Sequence, residues 1–334
     1  MSTPRIRALP EDFVVEELPL YAPSGEGGHT FVFVEKVLRN TEEVARDLAR
    51  AAGVRPAEVG YAGRKDRVAL TRQWLSVPGL DAAAALALEL PGVRVLQAIP
   101  HGHKLRTGQL AGNRFALRVR DVGSLDIAAV EARLADAARH GIANRFGAQR
   151  FGRDGDNAER ARALLRGERV RGGRRAVRFL VSALQAEIFN EVLDARPLAL
   201  DVLERGDIAM RHASGGCFRV EDPAAEAPRL AAFEISPTGP VFGSKVLLPE
   251  GIPAEREREV LARHGIDLEA LPRVPGLRLR GSRRSLRVRP EEATLEREPD
   301  ALLLRFRLPP GSYATTVLAA LLGVDPVAGP AAEE

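Results

Sequence analysis

The stretch GYAGRKDRVALTRQW, Gly60 to Trp74, carries one carboxylate, Asp66, among four cations, Arg64, Lys65, Arg67 and Arg72. Gly60 and Gly63 bracket a loop, and Ala69 to Val77 reads as the strand it runs into. A loop leading into a strand is a common place for a catalytic group on a rigid support. Two readings are open at this point: Asp66 is a solvated member of an ion-pair cluster, or it is a carboxylate kept for chemistry on an anionic polymer.

Towards the N-terminus, Phe13 to Glu17 and Thr30 to Val37 show the short apolar alternation of a sheet with one wet face, with a turn at Pro23 to Gly28. Asn40 and Glu43 form a capping pair that opens a helix ending at Gly53. Towards the C-terminus, Asp81 to Leu90 reads as an alanine-rich helix. Arg114 to Val122 is the clearest strand, with Phe115, Leu117 and Val119 on one face and Arg118 and Arg120 on the other. A helix follows from Asp126 to His140.

From Asn144 to Asp156 the chain is glycine-rich and polar. Asp156 to Arg166 and Ser182 to Ala195 then read as helices, in a region more helical and more basic than the N-terminal third. Leu302, Leu304, Phe306 and Leu308 alternate in a final strand. Pro309 to Gly311 turn the chain, Ser312 caps a helix ending at Gly323, and Ala328 to Glu334 reads as a frayed tail. Strands at both ends with helices between predict an α+β protein whose middle is an inserted domain.

The 334 residues exceed one small core and fit two or three units. The net charge of +4 is modest, but the basic pI rests on arginine, whose planar fork suits phosphate. Arg160 to Arg178 holds eight arginines against Glu168 alone, and Arg278 to Arg289 holds six and no acid. Two acid-poor arginine segments place nucleic acid ahead of a membrane or an acidic protein as partner. Arg283 and Arg284 are expected among the phosphate contacts. Cys217 is the only cysteine, which excludes a disulfide framework and a multi-cysteine metal site and points to the cytoplasm. No apolar stretch has the length of a membrane span, and no leader is evident.

Four further stretches carry chemistry-bearing residues. His101 and His103 have a spacing that could face one way on a strand, but no third metal ligand is evident, and a basic phosphate-touching loop explains the segment more simply. Thr238 to Lys245, TGPVFGSK, has the wrong glycine spacing for a phosphate loop, and no dinucleotide or metalloprotease motif occurs. NRFGAQRFG, Asn144 to Gly152, joins two Phe-Gly units through Gln149 and Arg150; it fits either contact with RNA or a packed hinge. LPPGSYATT, Leu308 to Thr316, puts Tyr313 at a helix start, as a stacking platform for a base or as an aromatic closing the core. Phe13 and Asn113 have the same two readings.

In order along the chain, PEDFVVEE (Pro10 to Glu17), GYAGRKDRVALTRQW, GNRF (Gly112 to Phe115), NRFGAQRFG and LPPGSYATT resemble the TruD family of tRNA pseudouridine synthases. The resemblance covers nearly the whole chain, and AGxKDxxAxTxQ and FGxQRFG are specific signatures. It implies a pseudouridine synthase fold, a mixed and largely antiparallel sheet with flanking helices, over residues 1–140 and 289–334. A second α+β domain would be inserted at 141–288, with RNA in the cleft between. It implies a cofactor-independent isomerase that acts on tRNA, converting uridine 13 of the D arm to pseudouridine; no metal is expected, and the chain is expected to act as a monomer.

By motif match Asp66 is the nucleophile, while Phe13, Asn113 and Tyr313 contact the substrate. Phe115, Gln149 and Arg150 lie in the same matched segments. Tyr313 departs from the phenylalanine common in bacterial members, and Ala143 and Arg145 depart from a common proline and aromatic. Isomerisation breaks N1–C1′ and joins C5 to C1′, so a detached base has to be held in a dry pocket after extrusion from the RNA. Asp66 attack at C1′ and at C6 are both open. Burial beneath a base would disfavour ionised Asp66, and a cation within a few Å would counter that; Lys65, Arg64, Arg67 and Arg7 are the candidates. The alternatives are a non-catalytic RNA-binding protein, in which Asp66 only orders a basic loop, and a glycosidase, which would usually need a second carboxylate.

Overall fold

The computed structural model describes residues 3–329 except 153, 169, 171–172, 270, 272–273 and 275–276. In chain order the strands are β1 (Arg5–Ile6), β2 (Phe13–Pro19), β3 (His29–Val37), β4 (Gly60–Tyr61), β5 (Leu70–Pro78), β6 (Val93–His101), β7 (Leu110–Arg120), β8 (Ile142–Ala143), β9 (Ile208–Arg211), β10 (Cys217–Arg219), β11 (Ile235–Val241), β12 (Ser282–Ser285), β13 (Arg287–Val288), β14 (Glu291–Glu298), β15 (Ala301–Leu308) and β16 (Val327–Ala328). The helices are α1 (Thr41–Ala51), α2 (Ala82–Leu86), α3 (Ile127–His140), α4 (Asn157–Leu165), α5 (Arg174–Asp194), α6 (Pro223–Ala231), α7 (Gly251–Arg263) and α8 (Ala314–Leu322). The chain is α+β and divides into two compact units. The first is Met1–Ala135, Pro290–Gly311 and Leu318–Glu334; the second is Asp136–Arg289 and Ser312–Val317.

The first unit is built on one sheet in the order β14-β15-β7-β2-β5-β3-β6, with β4 on β5 and β1 joining β7 to β16. β2 runs parallel to β5 and β1 to β16; the other pairs along the sheet are antiparallel. Alternation decides the two faces. On β7, Phe115, Leu117 and Val119 are buried, while Arg114, Arg118 and Arg120 point the other way and meet Glu16, Glu298 and Asp12. The polar face carries a row of ion pairs that crosses five strands, Arg94–Glu35–Arg72–Glu16–Arg114. On the apolar face α1 buries Val44, Ala45 and Leu48 against Val32, Val34, Leu75 and Val77. Its start is held by the Glu43 carboxylate, which accepts the Asn40 N–H at 2.8 Å.

The second unit contains the sheet β10-β9-β11-β12 and the β13-β8 pair. The 21-residue α5 buries Leu180, Leu184, Ile188 and Val192 against Ala158 and Ala161 of α4 and Val260 and Leu261 of α7.

Several local expectations differ from the structure. The alanine-rich helix stops after five residues at Leu86, because Leu88 and Leu90 turn back to pack under β3 and β6; burial there outweighs helix propensity. α5 starts at Arg174 rather than Ser182, whose hydroxyl donates to Phe179 O inside the helix instead of capping it. Thr238 to Val241, before which no strand was evident in the sequence, is itself the end of β11. Ala328, read as the start of a frayed tail, pairs with Ile6 of β1, and 330–334 lie outside the described residues.

The expectation that Arg283 and Arg284 hold phosphate is overturned. Arg283, 8 % exposed, binds both oxygens of Glu257, at 2.6 and 2.8 Å, and donates to Thr238 O. Arg284 lies 4.1 Å over the Phe146 ring and donates to Asn144 O at 3.0 Å. Arg287, 1 % exposed, donates to His140 O, Leu230 O and Ile235 O. A guanidinium has five donors in a rigid fork, and these three spend them on carbonyls and a carboxylate inside the unit.

Candidate active site

Asp66 stands on the loop between β4 and β5, and its side chain is 48 % exposed. Its partner is Arg7, whose Nη2 donates to Asp66 Oδ2 at 2.7 Å. Arg7 follows β1 with its backbone in the left-handed region, φ 57°, a conformation unfavourable for a side chain of this kind and one that clusters at functional sites. Its guanidinium lies 4.1 Å over the ring of Phe13, a stacking contact that fixes the cation from beneath. Phe13 is itself 3 % exposed, so in this structure it supports Arg7.

The cations beside Asp66 in sequence are drawn to other partners. Lys65 points inward to Glu17, Nζ to Oε2 2.7 Å, with side-chain exposures of 6 % and 1 %. Burial pushes the Glu17 carboxyl up, and Lys65 opposes this. Arg64 pairs with Glu42, and Arg72 belongs to the ion-pair row on the sheet. Arg67 Nε donates to Leu38 O. Consecutive charges on the loop are thus separated: Lys65 goes into the core and Asp66 stays out.

The loop is pinned along its length. Thr41 Oγ1 accepts the Lys65 N–H at 3.0 Å and donates to Gln73 Oε1 at 2.8 Å. Lys36 Nζ donates to Asp66 O at 3.0 Å and to Arg39 O at 2.6 Å. Gly60 is required for close approach, since a Cβ there would lie 2.2 Å from Leu105 O. The signature residues around Asp66 therefore have structural duties: Lys65 neutralises Glu17, and Gln73 ties the loop to α1.

Sequence reasoning missed Lys36. It occupies the inward position of β3 after Val32 and Val34, so a lysine in an apolar register was the available signal. Burial lowers its amine to about 8, against the pull of the Asp66 charge beside it. The amine is thus a buried cation, one of whose hydrogen bonds ends on the backbone of the candidate nucleophile and the other on Arg39 O.

On the same unit, Asn113 of β7 is half-buried, and its Oδ1 is a buried acceptor with no partner among the described residues. Such an orphan needs an explanation, and a ligand donor is one. Phe115 is buried with its ring 5.6 Å from that of Phe306, in the core rather than at the surface.

The second unit holds the other matched residues. Tyr313 is half-buried at the start of α8, its ring 5.8 Å from Phe146 and edge-on to it. Arg150 Nε donates to the Tyr313 hydroxyl at 2.9 Å, an interaction a phenylalanine at this position would lack. Gln149 is exposed on the short turn Ala148–Arg150. Ala143 pairs with Arg287 in the β8–β13 ladder, and Arg145 forms an ion pair with Asp194.

His101 and His103 share a hydrogen bond, Nε2 to Nε2 3.2 Å, while His101 Nδ1 accepts the Ser24 N–H at 3.1 Å. No helix among the described residues is long and apolar enough to cross a membrane.

The fold is that of a solved structure described as the putative tRNA pseudouridine synthase D (TruD) from Methanosarcina mazei. The TM-score is 0.75 at 24 % identity, over 96 % of this chain and 94 % of the other. A mixed, largely antiparallel sheet with this likeness has the pseudouridine synthase fold. The family model for tRNA pseudouridine synthase D (TruD) matches residues 2–171 and 173–321. Proteins named tRNA pseudouridine synthase D are 40 % identical in Geobacter metallireducens, over 94 % of this chain and 93 % of the relative, and 44 % identical in Thermus thermophilus, over 96 % and 89 %. The chain belongs to the TruD family of tRNA pseudouridine synthases and is an enzyme of the isomerase class.

Proposed function

We propose that the protein converts uridine to pseudouridine in tRNA, at position 13 of the D arm, with Asp66 as the nucleophile and no cofactor. The observation that carries this is an accessible carboxylate, gripped by Arg7 at 2.7 Å, on a loop fixed by Thr41, Gln73 and Lys36. Nucleophilic catalysis needs such a group held in one geometry, because misplacement by about 1 Å can lower a rate about 10²-fold.

Each unit then has its own task, the first as the catalytic domain and the second as the inserted RNA-binding domain. In the first, Arg7 orients Asp66, Phe13 supports Arg7, and the orphaned Asn113 Oδ1 accepts a hydrogen bond from the uracil edge. Lys65 acts from below, by neutralising Glu17 and so holding the loop rather than touching RNA. In the second, Tyr313 presents a ring on which a base stacks, worth about 1–3 kcal/mol, against an extrusion cost of a few kcal/mol. Arg150 steadies that ring, and exposed Gln149 is free to donate to RNA.

The test is to incubate an unmodified tRNA transcript with the purified protein and map pseudouridine by carbodiimide adducts and primer extension. The expected result is a single new stop at position 13. Tight tRNA binding with no stop anywhere would replace this function with plain RNA binding, and a stop outside the D arm would move the target.

A further inference from the structure

Of the arginines in the two acid-poor segments, many are consumed by the fold. Arg283, Arg284 and Arg287 are inside the second unit, and Arg162 and Arg166 pair with Glu187, Glu159 and Glu168. Arg178, Arg278 and Arg280 are different. All three are exposed, none has an ion-pair partner among the described residues, and residues 270–282 contain no acid. They line one pocket of about 330 Å³ together with Ser182, Gln185, Val241, Leu279 and Gly281, with no Asp or Glu in the wall among the described residues. The two arginine segments, about a hundred residues apart in sequence, therefore converge there.

The pocket is built rather than incidental. Arg178, Ser182 and Gln185 stand at i, i+4 and i+7 on α5, so they share one face of the helix. The opposite wall is held by backbone hydrogen bonds: Ser244 N–H donates to Leu279 O at 2.8 Å and Lys245 N–H to Arg280 O at 2.7 Å. Gly243 and Gly281 cross so closely that a Cβ on Gly243 would lie 2.1 Å from Gly281 N. That crossing fixes the loop from which Arg278 and Arg280 project. Ser182, in the wall, accepts from Arg150 Nη1 at 3.4 Å, and Arg150 also holds the Tyr313 hydroxyl. One side chain thus links the pocket to the aromatic assigned to base stacking.

We infer that Arg178, Arg278 and Arg280 form a pocket for a backbone phosphate of the RNA substrate. The inference rests on the reading of tRNA as substrate. Among the described residues these three guanidinium groups have no carboxylate partner, and each carries five N–H donors. Phosphate is the ligand whose oxygens match those forks. An arginine used by the fold contributes nothing to counterion release, whereas each RNA phosphate that the remaining ones neutralise adds about 0.7–0.9 to the salt slope.

The test compares wild type with the triple variant Arg178→Gln, Arg278→Gln, Arg280→Gln, and with the triple Arg→Lys variant. Binding of an unmodified tRNA transcript is measured across a salt series, with steady-state kinetics in parallel. The expected result for the Gln variant is binding weakened at least tenfold at low salt and a log–log salt slope shallower by about 1 unit. KM should rise by more than kcat falls, and the Lys variant should recover the slope but only part of the affinity. Because the three side chains are exposed, the melting temperature should stay close to wild type.

An unchanged slope and affinity in the Gln variant, with wild-type protein still making pseudouridine, would overturn the pocket alone. Wild-type protein that makes no pseudouridine in any tRNA would overturn the proposed function instead, while the slope still decides the pocket. A third arm adds inorganic phosphate or AMP as competitor. If either saturates the pocket at micromolar concentration while the tRNA slope is insensitive to the Gln variant, the site takes a free phosphate and the assignment to RNA is wrong.

Discussion

The loop at Gly60 to Arg67 and the run from Arg278 to Arg289 look alike in sequence, each a dense patch of cations, and the structure uses them in opposite ways. In the loop, Lys65 is buried against Glu17 so that Asp66 can stand at the surface with Arg7. In the run, Arg283, Arg284 and Arg287 are turned inward as ties between carbonyls, and only part of the charge is left for a ligand. The difference teaches that local charge density does not locate a site. What does is which charges remain after the fold has taken its share.

The sharpest way to break this comparison is to remove a charge that the fold has taken. Lys65→Met leaves Glu17 buried without its partner and should destabilise the protein by about 3–5 kcal/mol, read by urea unfolding. Adding Glu17→Gln to it should recover much of the loss; a Lys65→Met protein as stable as wild type would mean the pair is not buried as described. Arg283→Met, which strands Glu257, belongs to the same class and should lower stability by a similar amount. Corrected for the folded fraction, it should leave the salt slope of tRNA binding unchanged, in contrast to the pocket arginines.

Lys36 gives the next largest effect and a pH dependence. Its amine is held at about 8 in the folded protein and returns to the ordinary 10.5 on unfolding. Between those values the unfolded chain binds more protons, so this group makes stability rise with pH across that window, by up to about 3 kcal/mol. The rise should be missing in Lys36→Met. Asp66→Asn, which removes the charge that supports the ammonium, should push the Lys36 amine lower still, as followed by ¹⁵N NMR of the lysine side chain. An amine that titrates near 10.5 would contradict the burial.

Arg7→Gln should lower kcat about 10²-fold while changing stability by less than about 1 kcal/mol, because its partner Asp66 is half exposed. The smallest effects fall at Tyr313. Tyr313→Phe loses one hydrogen bond from Arg150 and should weaken tRNA binding by about 1 kcal/mol or less, whereas Tyr313→Ala loses stacking as well and should weaken it by about 1–3 kcal/mol. Equal losses in the two variants would remove stacking from the account.

Part of the first unit was legible because β2 and most of β7 alternate between buried and less buried residues. On β7 the sequence separates Phe115, Leu117 and Val119 from Arg118 and Arg120, and the faces follow. The Asn40–Glu43 capping pair also announced α1. Elements without such a pattern were not legible. β14 reads as a charged segment, EEATLERE, because it is an edge strand whose acids answer the arginines of its neighbours. The N-terminal half of α5 was obscured by its exposed arginines, and α2 was overestimated because alanine propensity says nothing about where Leu88 and Leu90 go.

At the candidate site, Asp66 and its list of possible cations were legible, but the choice of Arg7 was not. That choice depends on a residue 59 positions away reaching the loop through the sheet. The burial of Lys65 and Phe13 was equally out of reach, since a motif fixes the order of residues and not the side to which each one points.

The most direct measurement is single-turnover conversion of an unmodified tRNA transcript by Asp66→Asn, with its tRNA affinity determined on the same preparation. Affinity near wild type with no detectable pseudouridine is the predicted result, since Asp66 is exposed and its loop is pinned by other residues. Pseudouridine formed at the wild-type rate would contradict the central claim that Asp66 is the nucleophile.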